Sequence, residues 1–496
     1  MPYYFNTSQQ IIESLIAEVG RQHIEHSTDP AIRDSKANTP HSPVSPDETP
    51  VTVFFPRSTS DVSVILKACN DRQIAVTSFS GGTSFGGALT SIRGGICVSF
   101  ERMKSIVALH EDDLDVVVQP GLGWVELNEQ LKNKGVFFPV DPAPGASIGG
   151  MIAMSCSGTN AYRYGTMKEW VISLTAVLAD GTVVTTHRRP RKSAAGYDLT
   201  HLVIGSEGTL ALVTEATLKL AVLPQNLHVG LVTFDTFQQG VDIVVALQRA
   251  GHQLEALELA DGPQVHCINR SKLARVDLAE KPTLWLKFAG SSLQLVKDQI
   301  KTVKALCEQQ RALTYEITSD KERIDVLWEA RKCIGRALVT MKKDPTDLFM
   351  HSDCAVPISN LASLVEGTQK LIQEANEANE ANQKSSAAPK QPWFCANVGH
   401  VGDGNVHSSI ICPAADKKMV DEVLRKVARL ALSLEGTVTG EHGVGLKQRG
   451  ALVDEVGVEG IVVMRRIKSA MDPKGILNPD KVFALDDESG LKGAKL

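Results

Sequence analysis

The chain has 496 residues, 43% of them apolar and 22% charged, with 52 Lys+Arg against 57 Asp+Glu and a formal net charge of −5. At ~150 residues per domain the length predicts about three globular units, and the apolar share excludes a disordered chain. No Lys/Arg stripe marks a nucleic-acid face and no window approaches ~18 consecutive apolar residues, so neither a nucleic-acid partner nor a transmembrane helix is expected.

Residues 1–25 carry Ile11, Ile12, Leu15, Ile16 and Val19 at helical spacing, with Glu13 and Glu18 and no basic residue before Arg21. This predicts an amphipathic helix rather than a transit peptide, which by itself points to the cytoplasm. Four prolines between Thr39 and Pro50 make residues 1–45 a lead-in. Strands are expected at Val51 to Phe55, Ile74 to Phe79, Ile96 to Phe100, Ser105 to Leu109, Val116 to Gln119 and Val171 to Leu178. A helix capped by Ser60 separates the first two. The alternation of strands and helices predicts an α+β domain over 46–225. After Leu223-Pro224, longer helical patterns with fewer glycines open a second domain, 226–440. In it the E-A-N repeat at 374–382 reads as a solvated helix end and loop, and Val420, Val423, Leu424, Val427, Leu430 and Leu434 form one face of an amphipathic helix. Nine scattered cysteines, odd in number and without C-x-x-C, read as reduced, mostly buried thiols.

Glycines concentrate in three loops of the first domain: Ser80-Gly-Gly-Thr-Ser-Phe-Gly-Gly87, Pro144-Gly-Ala-Ser-Ile-Gly-Gly150 continuing through Ser155-Cys-Ser-Gly-Thr-Asn160 to Gly165, and Ile204-Gly-Ser-Glu-Gly-Thr-Leu210. Consecutive N–H groups in such loops form anion-binding nests, and glycine admits positive φ and close approach. None is a G-x-G-x-x-G opening a helix or a P-loop. Three small-residue loops in one domain predict a long ligand with its phosphates held by main chain.

A second constellation follows. Asn397-Val-Gly-His400-Val-Gly-Asp-Gly-Asn-Val-His407 sets two imidazoles on either side of a Gly-Asp-Gly turn, and Gly440-Glu-His-Gly443 lies beyond the amphipathic helix. A hairpin or bulge at Gly402 to Gly404 would bring both imidazoles to one site. Two imidazoles and a carboxylate leave an open position, as in a catalytic divalent-metal site. Glu441 is the expected third ligand and His442 the expected base, because an imidazole titrates near neutrality. No H-E-x-x-H is present, which disfavours a zincin protease.

The glycine loops resemble the FAD-linked oxidases of the vanillyl-alcohol oxidase / p-cresol methylhydroxylase type. The H-x-G-D-G-N-x-H and G-T-V-T-G-E-H-G-V-G segments and Met471-Asp-Pro-Lys-Gly-Ile-Leu-Asn-Pro479 narrow the likeness to the D-lactate dehydrogenase (cytochrome type) and D-2-hydroxyacid dehydrogenase family, over roughly residues 45–485. The resemblance implies a two-part FAD-binding domain, an α+β substrate or cap domain carrying the metal-ligand hairpin, and a C-terminal segment, 441–485, that returns to the FAD domain before a tail, 486–496. It implies that Ser80, Gly81, Gly82, Thr83 and Ser84 cradle the pyrophosphate. Gly149, Ser155, Gly158 and Asn160 would line the flavin, Glu207 and Gly208 would lie against its adenosine end, and Asn478 would contact the cofactor. No His stands in the first two loops and Cys156 is their sole thiol, so noncovalent FAD is expected. Phe85-Gly86-Gly87 departs from the Leu-Glu-Gly of many relatives.

Further implications are His400, His407 and Glu441 as ligands of Zn²⁺ or Mn²⁺, and Arg331, in Leu327-Trp-Glu-Ala-Arg-Lys332, as the grip on the substrate carboxylate. The composition of that segment alone reads as a surface-helix arginine. The expected reaction is oxidation of a D-2-hydroxy acid, first D-lactate and alternatively D-2-hydroxyglutarate, by hydride transfer to flavin N5 with His442 as base. The family implies cytochrome c or another respiratory carrier as electron acceptor, and hence mitochondria. Two other classes, a metal-dependent hydrolase and a flavin-fold binding protein without turnover, leave respectively the glycine loops and the His400, His407, Glu441 and His442 set unexplained.

Overall fold

The computed structural model describes residues 3–39, 42–381 and 391–486. Pro40 and His41 of the proline-rich lead-in, the end of the E-A-N repeat from Asn382, and the tail beyond Asp486 lie outside these. The chain divides into two compact units, 1–158 with 165–223 and 441–496, and 159–164 with 224–440.

The first unit contains two main sheets and the short antiparallel pair of Val136–Phe137 with Ala221–Val222. One is four-stranded, in the order Glu25–Ser27, Thr52–Phe55, Ile96–Ser99, Val76–Phe79, with its last two pairings parallel. Helix Thr59–Arg72 connects Thr52–Phe55 to Val76–Phe79 and buries Val62, Ile65, Leu66 and Cys69 against this sheet, in a core shared with Ile12, Leu15 and Val19 of helix Gln9–Gly20. Its cap is Ser58, two residues before the expected Ser60: Ser58 has the extended backbone and accepts the Asp61 N–H. The other sheet is five-stranded and antiparallel, in the order Ile106–His110, Asp115–Val118, Leu212–Lys219, Val171–Val177, Val183–Thr185. The C-terminal segment completes the first sheet. Val76 donates to Ile476 O at 2.8 Å and accepts from Asn478 N–H at 2.7 Å, so this stretch lies along the open edge of Val76–Phe79. The buried Lys468 ammonium holds it, donating to Thr209 O and Leu477 O at 2.7 Å each.

The second unit is built on an eight-stranded antiparallel sheet. Side chains alternate between its faces. Leu284, Leu286 and Phe288 join one core while Trp285 joins the other, and Leu257 and Leu259 oppose Ala256 and Ala260 in the same way. Both faces are covered, one of them by helices Phe237–Arg249, Leu361–Ala381 and Lys417–Ser433, the other by Gly262–Ser271 and Lys321–Lys332. Strands Phe394–Gly399 and Asn405–Cys412 form the hairpin expected from Gly402 to Gly404. The nine cysteines are free thiols, eight of them buried.

Candidate active site

In the first unit the loop at Ser80 leaves the end of Val76–Phe79. A Cβ on Gly81 would stand 2.7 Å from Gly145 O and 2.8 Å from Ser147 N, and Gly82 has φ +70, so this loop meets the second glycine loop backbone to backbone. Ser80 Oγ seals the contact at 2.9 Å from Pro120 O and 2.6 Å from Ser147 Oγ. Gly149 and Gly158 are as confined, against Pro120 Cβ at 2.6 Å and Asp141 O at 2.4 Å, while Ser155 and Gly208 sit at positive φ. Two buried polar atoms at expected cofactor positions, Ser84 Oγ and Asn478 Oδ1, have no hydrogen-bond partner among the described residues. Asn478 Nδ2 is taken by Glu207 O and Ala88 O. A glycine-lined cradle edged with orphaned polar atoms fits a polar cofactor such as FAD. Asn160 belongs to the second unit, where its carbonyl starts the turn Ala161–Tyr164.

The loop carrying Glu441 and His442 is held from several sides within the first unit. Ser157 Oγ donates to Glu441 Oε2 at 2.8 Å, and the His442 ring stacks on Phe85, centroids 4.6 Å apart at 28°. Glu207 accepts the Val444 and Gly445 N–H groups at 2.7 and 2.8 Å. Burial pushes the Glu207 carboxyl up to about 7, against the pull of those N–H groups and of Lys481. Gly445 is obligatory here, since φ is +52 and a Cβ would meet Gly86 O at 2.2 Å. The chain then returns through Asn478, Asp480 and Val482, all at positive φ, with Val482 N–H donating to Gly445 O. For β-branched Val482 this conformation is strained, and it persists only because the surrounding contacts impose it.

In the second unit the hairpin sets His400 and His407 with ring centroids 5.4 Å apart and nearly perpendicular. Gly404, at φ +87 with Val356 O 2.2 Å from its would-be Cβ, makes the turn tight enough. Each imidazole turns Nδ1 toward a buried carboxylate. His400 Nδ1 is 2.7 Å from Glu258 Oε1, and His407 Nδ1 is 3.4 Å from Asp353 Oδ1. Asp353 also accepts from Asn405 Nδ2 at 2.9 Å and Thr439 Oγ1 at 2.8 Å. Gly440 fits beside Asn405 only as glycine, since a Cβ would lie 2.2 Å from Nδ2, and the next residue is Glu441. The carboxylate on His400 Nδ1 leaves the Nε2 of that ring as the nitrogen that could hold a divalent cation such as Zn²⁺ or Mn²⁺. Arg331 is not a surface arginine. It is 9% exposed, and its Nε and Nη2 donate to Glu258 Oε2 at 2.9 and 2.5 Å.

Four residues in these arrangements escaped the sequence reading: Ser157, Phe85, Glu258 and Asp353. Ser157 stands inside a quoted glycine loop, and Phe85 is the departure from the family string, so both carried a signal. Glu258 and Asp353 belong to no motif and become visible only when strand pairing brings them beside the imidazoles.

Residues 50–187 match the FAD binding domain family, and residues 223–482 match the FAD linked oxidases, C-terminal domain. The chain belongs to the FAD-linked oxidases. Among curated relatives of this oxidase, a mitochondrial D-lactate dehydrogenase [cytochrome] of Kluyveromyces lactis is 43% identical over 91% of this chain and 77% of its own length. D-lactate dehydrogenase [cytochrome] 1 of Saccharomyces cerevisiae is 39% identical over 96% and 80%. A D-2-hydroxyglutarate dehydrogenase of Xanthomonas citri is 29% identical over 88% and 90%. The fold of the oxidase is that of p-cresol methylhydroxylase, with a TM-score of 0.74 at 14% identity over 97% of this chain and 98% of that one.

Proposed function

We propose that this FAD-linked oxidase is a divalent-metal-dependent D-2-hydroxyacid dehydrogenase that oxidises D-lactate to pyruvate. The observation that carries the reading is the hairpin whose two imidazoles turn Nδ1 to buried carboxylates, one of which also holds Arg331. The relatives named D-lactate dehydrogenase support the substrate, and their names support a cytochrome as electron acceptor and the mitochondrion as location.

FAD would be held by Ser80, Gly81, Gly82, Thr83 and Ser84 with Gly149, Ser155, Gly158, Asn160, Glu207, Gly208 and Asn478, and a Zn²⁺ or Mn²⁺ ion by His400, His407 and Glu441. Bound there, FAD supplies the acceptor for two electrons and the α-hydrogen, and the metal supplies positive charge at the substrate hydroxyl. Burial pushes the Cys156 thiol well up, which disfavours the thiolate and supports noncovalent FAD. Arg331 orients the substrate. Its Nε and Nη2 are committed to Glu258, so the Nη1/Nη2 edge is the one offered to the substrate carboxylate, and a guanidinium fork fixes direction as well as charge. His442 takes the hydroxyl proton on a ring nitrogen, and the Phe85 stack limits rotation of that ring.

A panel of D- and L-2-hydroxy acids added anaerobically to the yellow protein tests the reading. Bleaching by D-lactate is expected, and none by L-lactate. Bleaching by D-2-hydroxyglutarate alone would replace the substrate, and bleaching by none of them would refute dehydrogenase activity.

A further inference from the structure

We propose that Glu258 is a positioning residue that fixes both the metal-facing tautomer of His400 and the substrate-facing edge of Arg331. The proposal rests on the reading of His400 as a metal ligand. Glu258 lies in strand Ala256–Ala260, on the sheet face shared by Ala256, Ala260 and Trp285, and its side chain is 0% exposed. An ionised carboxylate can only accept hydrogen bonds, and one buried this deeply must have donors. Oε1 receives His400 Nδ1 at 2.7 Å, and Oε2 receives Arg331 Nε at 2.9 Å and Nη2 at 2.5 Å.

Two consequences follow from this division of its oxygens. Because Oε1 cannot donate, the His400 proton resides on Nδ1 and the lone pair on Nε2, the form that binds a divalent cation. Because Nε and Nη2 meet at one oxygen, the guanidinium plane is fixed and its remaining edge points in one direction. A charge partner for Arg331 alone would need no imidazole, and a buried ion pair is weak grounds for assuming a stabilising role. A single carboxylate that takes both groups places the metal ligand and the carboxylate grip in a common frame, so a shift of Glu258 misaligns both together.

The test uses the full-length, FAD-loaded protein. Zn²⁺ affinity is measured by competition with a chelator, and kcat and KM for D-lactate are measured at saturating Zn²⁺. Glu258→Asp keeps the charge but withdraws it by one methylene, and Glu258→Gln keeps the shape but opposes an NH₂ to Arg331 or to His400. Both are expected to weaken Zn²⁺ binding by about 10–100-fold, the range for a partner behind a metal-bound histidine, and to raise KM for D-lactate while FAD content stays unchanged. Wild-type Zn²⁺ affinity in Glu258→Asp would overturn the proposal, because a partner that only balances charge is satisfied by Asp. His400→Ala is the control: if it too keeps wild-type Zn²⁺ affinity, the metal reading itself fails. One measurement needs no Glu258 variant. In histidine-¹⁵N-labelled, metal-free protein, with the His400 signals identified by their loss in His400→Gln, protonation at Nδ1 is expected and protonation at Nε2 would overturn the proposal.

Discussion

Replacing Glu207 by Gln should make the FAD-binding unit more stable at pH 8 and the enzyme slower. Burial raises this carboxyl from 4.5 to about 7, and at about 1.36 kcal/mol per unit that shift corresponds to about 3 kcal/mol. Between those values the folded protein keeps a proton that the unfolded chain has released. The contribution is therefore full below pH 4.5 and lost as pH rises through about 7. Gln mimics the protonated acid, so titration alone favours the variant by about 3 kcal/mol at pH 8 and by little near pH 4, before the loss of an acceptor is set against it. The loop suffers the opposite effect. One of the Val444 and Gly445 N–H groups loses its acceptor, and an unsatisfied buried donor costs about 1–3 kcal/mol, or roughly 5–150-fold more frequent local opening. Since this loop carries Glu441 and His442, kcat should fall while the global midpoint rises. Urea-induced FAD release at fixed FAD concentration, at pH 5.5 and pH 8, reads the first effect, and hydrogen exchange at the Val444 and Gly445 amides reads the second. Equal destabilisation at both pH values, or unchanged protection of those amides, would refute the reasoning.

His400→Ala and His407→Ala should each lose the metal and nearly all turnover yet remain yellow; unchanged metal stoichiometry on elemental analysis would reject the ligand assignment. Arg331→Lys should lower kcat/KM for D-lactate by about 10–100-fold, as a point charge replaces a fork, and unchanged kinetics would leave Arg331 only its partnership with Glu258. His442→Ala should keep metal and FAD but slow anaerobic flavin reduction by about 10²–10⁴-fold, the range for one positioned proton acceptor. Glu441→Gln should lose metal first, and the reverse outcome in these two variants would exchange their roles.

The first unit was legible because its strands are short and bracketed by glycine turns; Val76–Phe79 and Ile96–Ser99 fall within two residues of their expected ends. The second unit's sheet was not. Its strands are covered on both faces, so a run such as Thr283–Phe288 shows no alternation of apolar and polar residues, and the helices dominate the pattern. The Ser60 cap failed because Ser58 and Ser60 are equivalent as letters, and only the extended backbone at Ser58 decides between them. His400 and His407 could be paired in advance because the Gly-Asp-Gly turn forces a hairpin. Glu258 could not, since what makes it special is a register, Leu259 opposite Gly399, that brings strand Ala256–Ala260 beside the hairpin.

Ribosomal synthesis meets this fold in an awkward order. The edge of Val76–Phe79 is made well before the residues that close it, Ile476 and Asn478. At about 5–20 residues per second, the roughly 400 residues that separate this edge from Ile476 take on the order of 20–80 s to make. Throughout that interval the nascent chain presents an unpaired parallel-strand edge, the kind of surface that recruits other strands. The inserted unit, contiguous apart from one short turn, has all its strands by Cys412 and does not wait. A stop codon or proteolytic cut just before Ile476 would thus leave the first-made sheet permanently open.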